Sequence, residues 1–324
     1  MTQLAARVGD VRTSAVARAP ADTRRLLQLV LASLWLVDGL LQIQPYMFSR
    51  AFGTQMLAAT ARGNPATLAR SIRWAGAAIG GHAVAADTVF ALVQLAIAAG
   101  IAWRPTVKPA LALSVGWAAC VWWFGEGFGG VFAGTATIVD GAPGAVLLYA
   151  LAAVLLWPAD RAGATAPFVA ARAVGERTAR VLWVLVWGVL ACVTVVGPDR
   201  PPGGLSRVVT QLAAGEPGWL AHLDHHVAAF LVHGGTAVAA VLAGALAAVA
   251  VGVLLPTGAA RASLVLACTV AAAIWVVGEN FGGVLSGTGT DVSTAPLLVL
   301  LAAAYWPRRD VAPLPALVAG TVEA

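Results

Sequence analysis

The sequence predicts an all-α, polytopic membrane protein of about eight transmembrane helices arranged as two parallel four-helix repeats. Three observations lead there: long apolar runs free of Lys, Arg, Asp and Glu, a glycine-rich motif that occurs twice, and basic residues gathered at alternate ends of the runs. Only 11% of the 324 residues are charged and 60% are hydrophobic, whereas soluble domains carry about 25% charged residues. The runs Leu26–Val37, Thr88–Trp103, Ala110–Gly125, Val181–Gly197, Val227–Ala260 and Ala262–Gly278 are the clearest. About 20 apolar residues cross the roughly 30 Å hydrocarbon core, and several runs reach that length with their flanks.

The duplication organises the chain. Phe124-Gly-Glu-Gly-Phe-Gly-Gly130 and the residues on to Thr137 match Val277-Gly-Glu-Asn-Phe-Gly-Gly283 and the residues on to Thr290, an offset of 153 residues. The same offset pairs Lys108 with Arg261 and Pro143 with Pro296, and each copy closes on Trp-Pro, at Trp157-Pro158 and Trp306-Pro307. A repeated landmark order of this kind marks a repeated structural unit. The first unit predicts helices near 25–44, 66–103, 108–125 and 143–157, and the second near 178–198, 217–255, 261–278 and 294–306. The second helix of each unit is longer than a span needs, so its first turns, after Pro65 and Pro217, are expected along the membrane surface. The expected divisions are an N-terminal tail 1–24, a first repeat 25–158, a linker 159–177, a second repeat 178–307 and a C-terminal tail 308–324. Four helices per unit give both units one orientation, as in parallel repeats.

Charge sets the expected sidedness. The N-terminal arginines, Arg104, Lys108, the linker arginines, Arg261 and the C-terminal arginines share one side, while Arg50, Arg62, Arg70, Arg73, Arg200 and Arg207 share the other. The richer side is cytoplasmic by the positive-inside rule. Both termini are then cytoplasmic, and the Gly-Glu loops face outward. The net charge of +5 needs no nucleic acid, because the basic residues are dispersed rather than gathered on one stripe. Leu26–Gln44 contains Asp38 and no convincing small-x-small cleavage site, so it is read as an uncleaved first helix rather than a signal peptide. Cys120, Cys192 and Cys268 lie inside apolar runs without a C-x-x-C spacing, which supports neither a zinc knuckle nor a disulfide framework. The tryptophans at helix ends, such as Trp74, Trp103, Trp157, Trp219 and Trp306, fit an interfacial belt.

Candidate chemistry sits toward the outer side. Glu126 and Glu279 end the third helix of each unit, and an acid at membrane depth is a functional candidate by default. The plainer reading is that each accepts hydrogen bonds from loop N–H groups and ties down its turn. His82 and His233 occupy near-equivalent places, each beside a Gly-Gly pair. A His–Glu pair in each unit is expected to bind a metal ion or relay protons. His222, Asp224, His225, His226 and His233 form a cluster in which His222, His226 and His233 share one helix face. This cluster is the strongest metal or haem candidate, and a bis-His haem would take a second ligand such as His82. Asp38 and Asp87 lie inside helices, with apolar counterparts in the second half, and form a candidate proton relay. The Gly/Thr loops after Glu126 and Glu279 are alternatively gates of a transporter or channel.

Trp35-Leu-Val-Asp-Gly-Leu-Leu-Gln-Ile-Gln-Pro45 together with Phe124-Gly-Glu-Gly-Phe-Gly-Gly130 resembles uncharacterised polytopic membrane proteins of high-GC actinobacteria. The four-helix unit with an outer acid is also similar in architecture to DoxX-type redox membrane proteins. The resemblance covers most of the chain and carries over no functional residue. The expectation is therefore an outer His/Glu site for metal handling or membrane redox chemistry, with a redox protein or quinone as partner. A proton-coupled transporter and a structural subunit are the alternatives.

Overall fold

The computed structural model describes residues 22–160, 166–197 and 203–308. Every regular element among them is a helix: α1 (Thr23–Leu41), α2 (Ala66–Gly81), α3 (Ala83–Ala102), α4 (Val107–Phe124), α5 (Ala145–Leu155), α6 (Val169–Val174), α7 (Glu176–Val196), α8 (Gly204–Leu212), α9 (Gly218–Gly252), α10 (Thr257–Val277) and α11 (Thr294–Ala304). A π-helical turn over Phe52–Met56 and a 3₁₀ turn over Leu57–Ala61 link α1 to α2.

Among the described residues five helices are long and apolar enough to cross a membrane: α3, α4 with its 3₁₀ lead-in, α7, α9 and α10. Their outward faces carry large apolar side chains exposed to the surroundings, among them Leu92, Leu185, Phe230, Val241 and Val265. Soluble monomers rarely expose contiguous apolar surface on this scale, so the surroundings of this bundle are lipid. Trp103, Trp219 and Trp306 are exposed near helix ends, as a belt requires, whereas the exposed Trp74 sits at the middle of α2. Trp35, Trp183 and Trp187 instead lie fully inside the protein.

In the first half α1 packs on α3, α3 on α4 and α4 on α5; in the second α7 packs on α9, α9 on α10 and α10 on α11. The halves meet where α11 packs on α5 and α1. α5 and α11 are short, 11 residues each, or about 16 Å at 1.5 Å per residue. Both are largely enclosed: Leu148, Tyr149, Ala152, Leu155, Leu297, Leu298 and Leu301 are all within a few percent of zero exposure.

Helix ends are tied at the arginine-rich end. Arg25 donates to the carbonyls of Ile101, at 2.8 Å, and Ala102, placing a cation at the C-terminus of α3 where the helix dipole favours one. Gln28 donates to Leu156 O and closes α5. Tyr305 donates to Ala179 O and joins the end of α11 to the start of α7. Asp160 accepts from Arg24 at 2.6 Å and from Arg172 of α6 at 2.8 Å, bridging the halves.

Several expectations are corrected. The helix expected over 66–103 is broken at His82, whose φ of −133° and ψ of 38° separate α2 from α3. The adjoining Gly80-Gly81 supplies little helix propensity to oppose the break. Its counterpart α9 runs unbroken for 35 residues. The short helices α6 and α8 were not anticipated. α8 is amphipathic, with Leu205 and Val209 buried against α9. Arg7, Arg12, Arg18, Arg161, Arg200 and Arg309 of the charge argument lie outside the described residues.

Candidate functional site

The two Gly-Glu segments fold alike, residue for residue. α4 ends at Phe124, and the N–H groups of Gly125 and Glu126 both donate to Val121 O. Gly127, Phe128, Gly129 and Gly130 then take positive φ values of 55°, 61°, 60° and 71°. In the second copy Asn280, Phe281, Gly282 and Gly283 take 44°, 58°, 78° and 62°. Asn stands where the first copy has Gly, and Asn is among the non-glycine residues that best tolerate the left-handed region. Each phenylalanine is held edge-on by the tryptophan six residues before it. Trp122 and Phe128 have centroids 4.9 Å apart at 75°, and Trp275 and Phe281 5.2 Å apart at 76°.

This turn aims each carboxylate at the start of the following short helix. Glu126 Oε1 accepts from Val146 N at 3.3 Å. Glu279 accepts from Thr294 N and Ala295 N, each at 3.2 Å, and from the Thr294 hydroxyl. Unpaired N–H groups and the positive end of the dipole make a helix start an anion seat. Gly144 makes the approach feasible at α5: a Cβ there would stand 2.0 Å from Glu126 Oε2.

The two acids then differ. Glu279 is buried and its carboxylate is occupied by α11. Glu126 lines a cavity of about 770 Å³, shared with Asp38 of α1 and with Asp291 from the connection before α11. Its Oε2 has no hydrogen-bond partner. Asp38 Oδ1 accepts from Val292 N at 3.1 Å. Asp291 accepts from Ser293 N at 2.7 Å and from the Thr290 hydroxyl at 2.9 Å. Gln42, buried, donates to Thr290 O at 3.1 Å, so α1 grips the second half with two consecutive polar turns. Trp35, Phe52, Phe90, Trp117 and Phe124 supply most of the aromatic wall.

In the connections beyond α4 and α10, burial sets the acidities. Glu126 is pushed up to about 8, first by burial and then by the charge of Asp291. Burial also raises Asp291 and Glu279, and hydrogen bonds from Thr290 and Ser293, and from Thr294 and its neighbours, partly oppose it. At the other end of the bundle the exposed Asp160 is held below the usual carboxylate range by its hydrogen bonds from Arg172 and Arg24.

No family model, curated protein or solved structure matches this chain. The site is therefore judged on its own residues.

The expected His82–Glu126 and His233–Glu279 pairs are not what binds these acids, because the bonds to both carboxylates come from α5 and α11. His82, His222, His225, His226 and His233 are all exposed, and the cavity lining includes none of them. His222, His226 and His233 do follow one another along α9, but that face points away from the protein. Asp224 is buried and accepts from Asn280 at 2.8 Å rather than orienting an imidazole. Among the described residues no three His, Cys, Asp or Glu side chains are grouped to hold a metal ion. Asp87 is fully buried with neither oxygen bonded, and it is not part of the lining that holds Asp38. Asp291, Gln42 and Gln94 were not foreseen. The available signal was that Asp291 follows Glu279 within the duplicated loop, where the first copy has Ile138.

Proposed function

We propose that this is a multi-pass membrane protein whose chamber couples occupancy by a membrane-soluble guest to the exchange of protons. On this reading it is a proton-linked transport or binding protein. The observation that carries this reading is the convergence of Asp38, Glu126 and Asp291, from three separate segments and both halves of the chain, on one apolar-walled cavity. Carboxyl groups crowded in a low-dielectric space resist simultaneous ionisation, so such a set holds and releases protons as its contents change. The other titratable groups in the lining are the exposed Arg62 and Cys120, and Tyr149 lies behind the wall, its ring tilted 34° against Trp35 with centroids 4.2 Å apart. A volume of about 770 Å³ lies in the range of small-molecule sites, roughly 300–1,000 Å³.

Eight crossings would comprise α1, α3, α4, α7, α9 and α10 with α5 and α11, whose 11 residues each reach across only together with the turns that flank them, forming two parallel four-helix repeats. The matched turns at Glu126 and Glu279 support that arrangement, as does the shared arginine-rich end. With that end cytoplasmic, both termini are inside and the chamber lies toward the exterior.

The test is infrared titration of the full chain in nanodiscs. We expect a protonated-carboxyl carbonyl band that titrates near pH 8 and is absent from Glu126→Gln. If no carboxyl band changes between about pH 5 and 9, the proton-linked reading is lost.

A further inference from the structure

The chamber is unevenly furnished, and the imbalance points to a guest. Three acceptors on lining residues lack any hydrogen-bond partner and are themselves buried, at or just behind the chamber surface: Glu126 Oε2, Gln42 Oε1 and Gln94 Oε1. The Gln42 and Gln94 side chains are 3% and 6% exposed. One lining donor, Trp117 Nε1, is likewise unpartnered. Buried polar atoms left unpaired cost free energy, so an excess of unsatisfied acceptors favours a guest that brings donors and toward which these side chains turn. Charge points the same way. Three carboxylates line the space, and the one cationic side chain among the lining residues, Arg62, is exposed.

The walls add a second condition. Trp35, Phe52, Phe90, Trp117 and Phe124 reward an apolar body, and aromatic faces attract a cation over them. The route in adds a third. The lining residues that are also exposed are Trp74 and Ala78 of α2 and Cys120 of α4, which mark a mouth between those helices, and Arg62 and Thr135 on its polar side. Between Ala78 and Cys120 the mouth is apolar, and Arg62, Arg73 and Thr135 lie exposed at its polar side, so it fits an opening at the lipid–water boundary that an amphipathic guest would use.

We infer that the chamber's guest is a lipophilic amine, entering at the lipid–water boundary between α2 and α4 and held by N–H donation to Glu126, Gln42 and Gln94. This rests on the chamber reading above and names its ligand class. Alcohols of the same shape offer one donor and no charge. Quaternary ammonium ions offer the charge and no N–H. An ammonium head satisfies both demands.

The test uses the full chain in nanodiscs with three probes of matched body: 4-phenylbutylamine, 4-phenylbutanol and 4-phenylbutyltrimethylammonium. Binding is read by quenching of tryptophan fluorescence, with empty nanodiscs subtracting partition into lipid. We expect the amine to bind at least tenfold tighter than the alcohol, with the quaternary ion between them. Glu126→Gln should shrink the preference for amine over alcohol, and Ala78→Phe, which intrudes at the mouth, should weaken all three. Retention of the native tryptophan spectrum certifies that each variant is folded. If the alcohol binds as tightly as the amine, the amine inference falls while the chamber reading stands. If none of the three binds above empty nanodiscs at millimolar concentration, both fall.

Discussion

Asp38 of α1 accepts a hydrogen bond from the backbone N–H of Val292, 254 residues further along the chain, at 3.1 Å. The contact fastens the first half of the protein to the connection that carries Asp291, so the same carboxylate lines the chamber and holds its far wall. Charge and shape at Asp38 are therefore separable. Asp38→Asn keeps an acceptor for Val292 and should leave thermal stability within about 1 kcal/mol, while removing one proton-binding group from the chamber. Asp38→Leu strands a buried N–H, which costs about 1–3 kcal/mol, and should lower the melting temperature in detergent. Equal melting temperatures for the two variants would mean the Val292 bond contributes nothing.

Glu126 and Glu279 occupy matched places in the sequence and do different work. Glu279 receives two backbone N–H groups and a hydroxyl from the start of α11. Glu279→Ala leaves those donors without an acceptor, and we expect a loss of about 2–4 kcal/mol. Glu279→Gln should recover part of it. Glu126 accepts one long bond from Val146 N and leaves its second oxygen without a partner. Glu126→Gln should cost under about 1 kcal/mol and act on proton exchange instead. Thermal unfolding of the three variants beside the infrared titration would separate the roles. A reversed order, with Glu126→Gln the most damaging to stability, would overturn the assignment.

Acid sensitivity is expected at the opposite end of the molecule. Asp160 bridges the nearly buried Arg24 to Arg172 and has its acidity strengthened by both. Since its folded-state value is depressed, its stabilising effect is fully present above the ordinary aspartate value of about 3.9. That effect is lost as pH falls through the lowered folded value. Asp160→Asn should remove this component of acid unfolding. At neutral pH it should lower stability by about 1 kcal/mol, the scale of partly exposed pairs. Melting temperatures of wild type and variant that diverge rather than converge below about pH 4 would contradict this.

Much of this architecture was readable in the amino-acid sequence, and the omissions have physical causes. Apolar runs located α3, α4, α7, α9 and α10, because a bilayer demands length and apolarity that few other environments do. The duplicated Gly-Glu motif announced a special turn, because only Gly and Asn sit easily at three of its four left-handed positions. Asp38 stood out as an acid within an apolar run. The partnership of Asp38 with Asp291 did not, because a contact across 254 residues leaves no local period. That the histidines of α9 lie exposed was not legible, because helical spacing says which residues share a face, not which way the face points. The break at His82 was hidden because no proline marks it.

Chamber width depends on one close backbone crossing. Gly76 and Gly80, four residues apart on α2, receive the turn that contains Gly53. A Cβ on Gly53 would stand 2.4 Å from Gly80 N and 2.5 Å from Gly76 O. Small residues at such spacing let helices in membranes approach to backbone contact, and here the approaching segment carries Phe52 and Met56 of the chamber wall. Backbone atoms cannot rotate aside, so Gly53→Ala must push that wall away from α2. We expect about 1–3 kcal/mol of lost stability, the usual cost of overpacking, together with weaker binding of 4-phenylbutylamine. Gly81→Ala is the control, because a Cβ there meets nothing within 4 Å, and it should leave both readouts unchanged. If Gly53→Ala binds the amine as tightly as Gly81→Ala does, the segment over Phe52–Met56 does not shape the binding space.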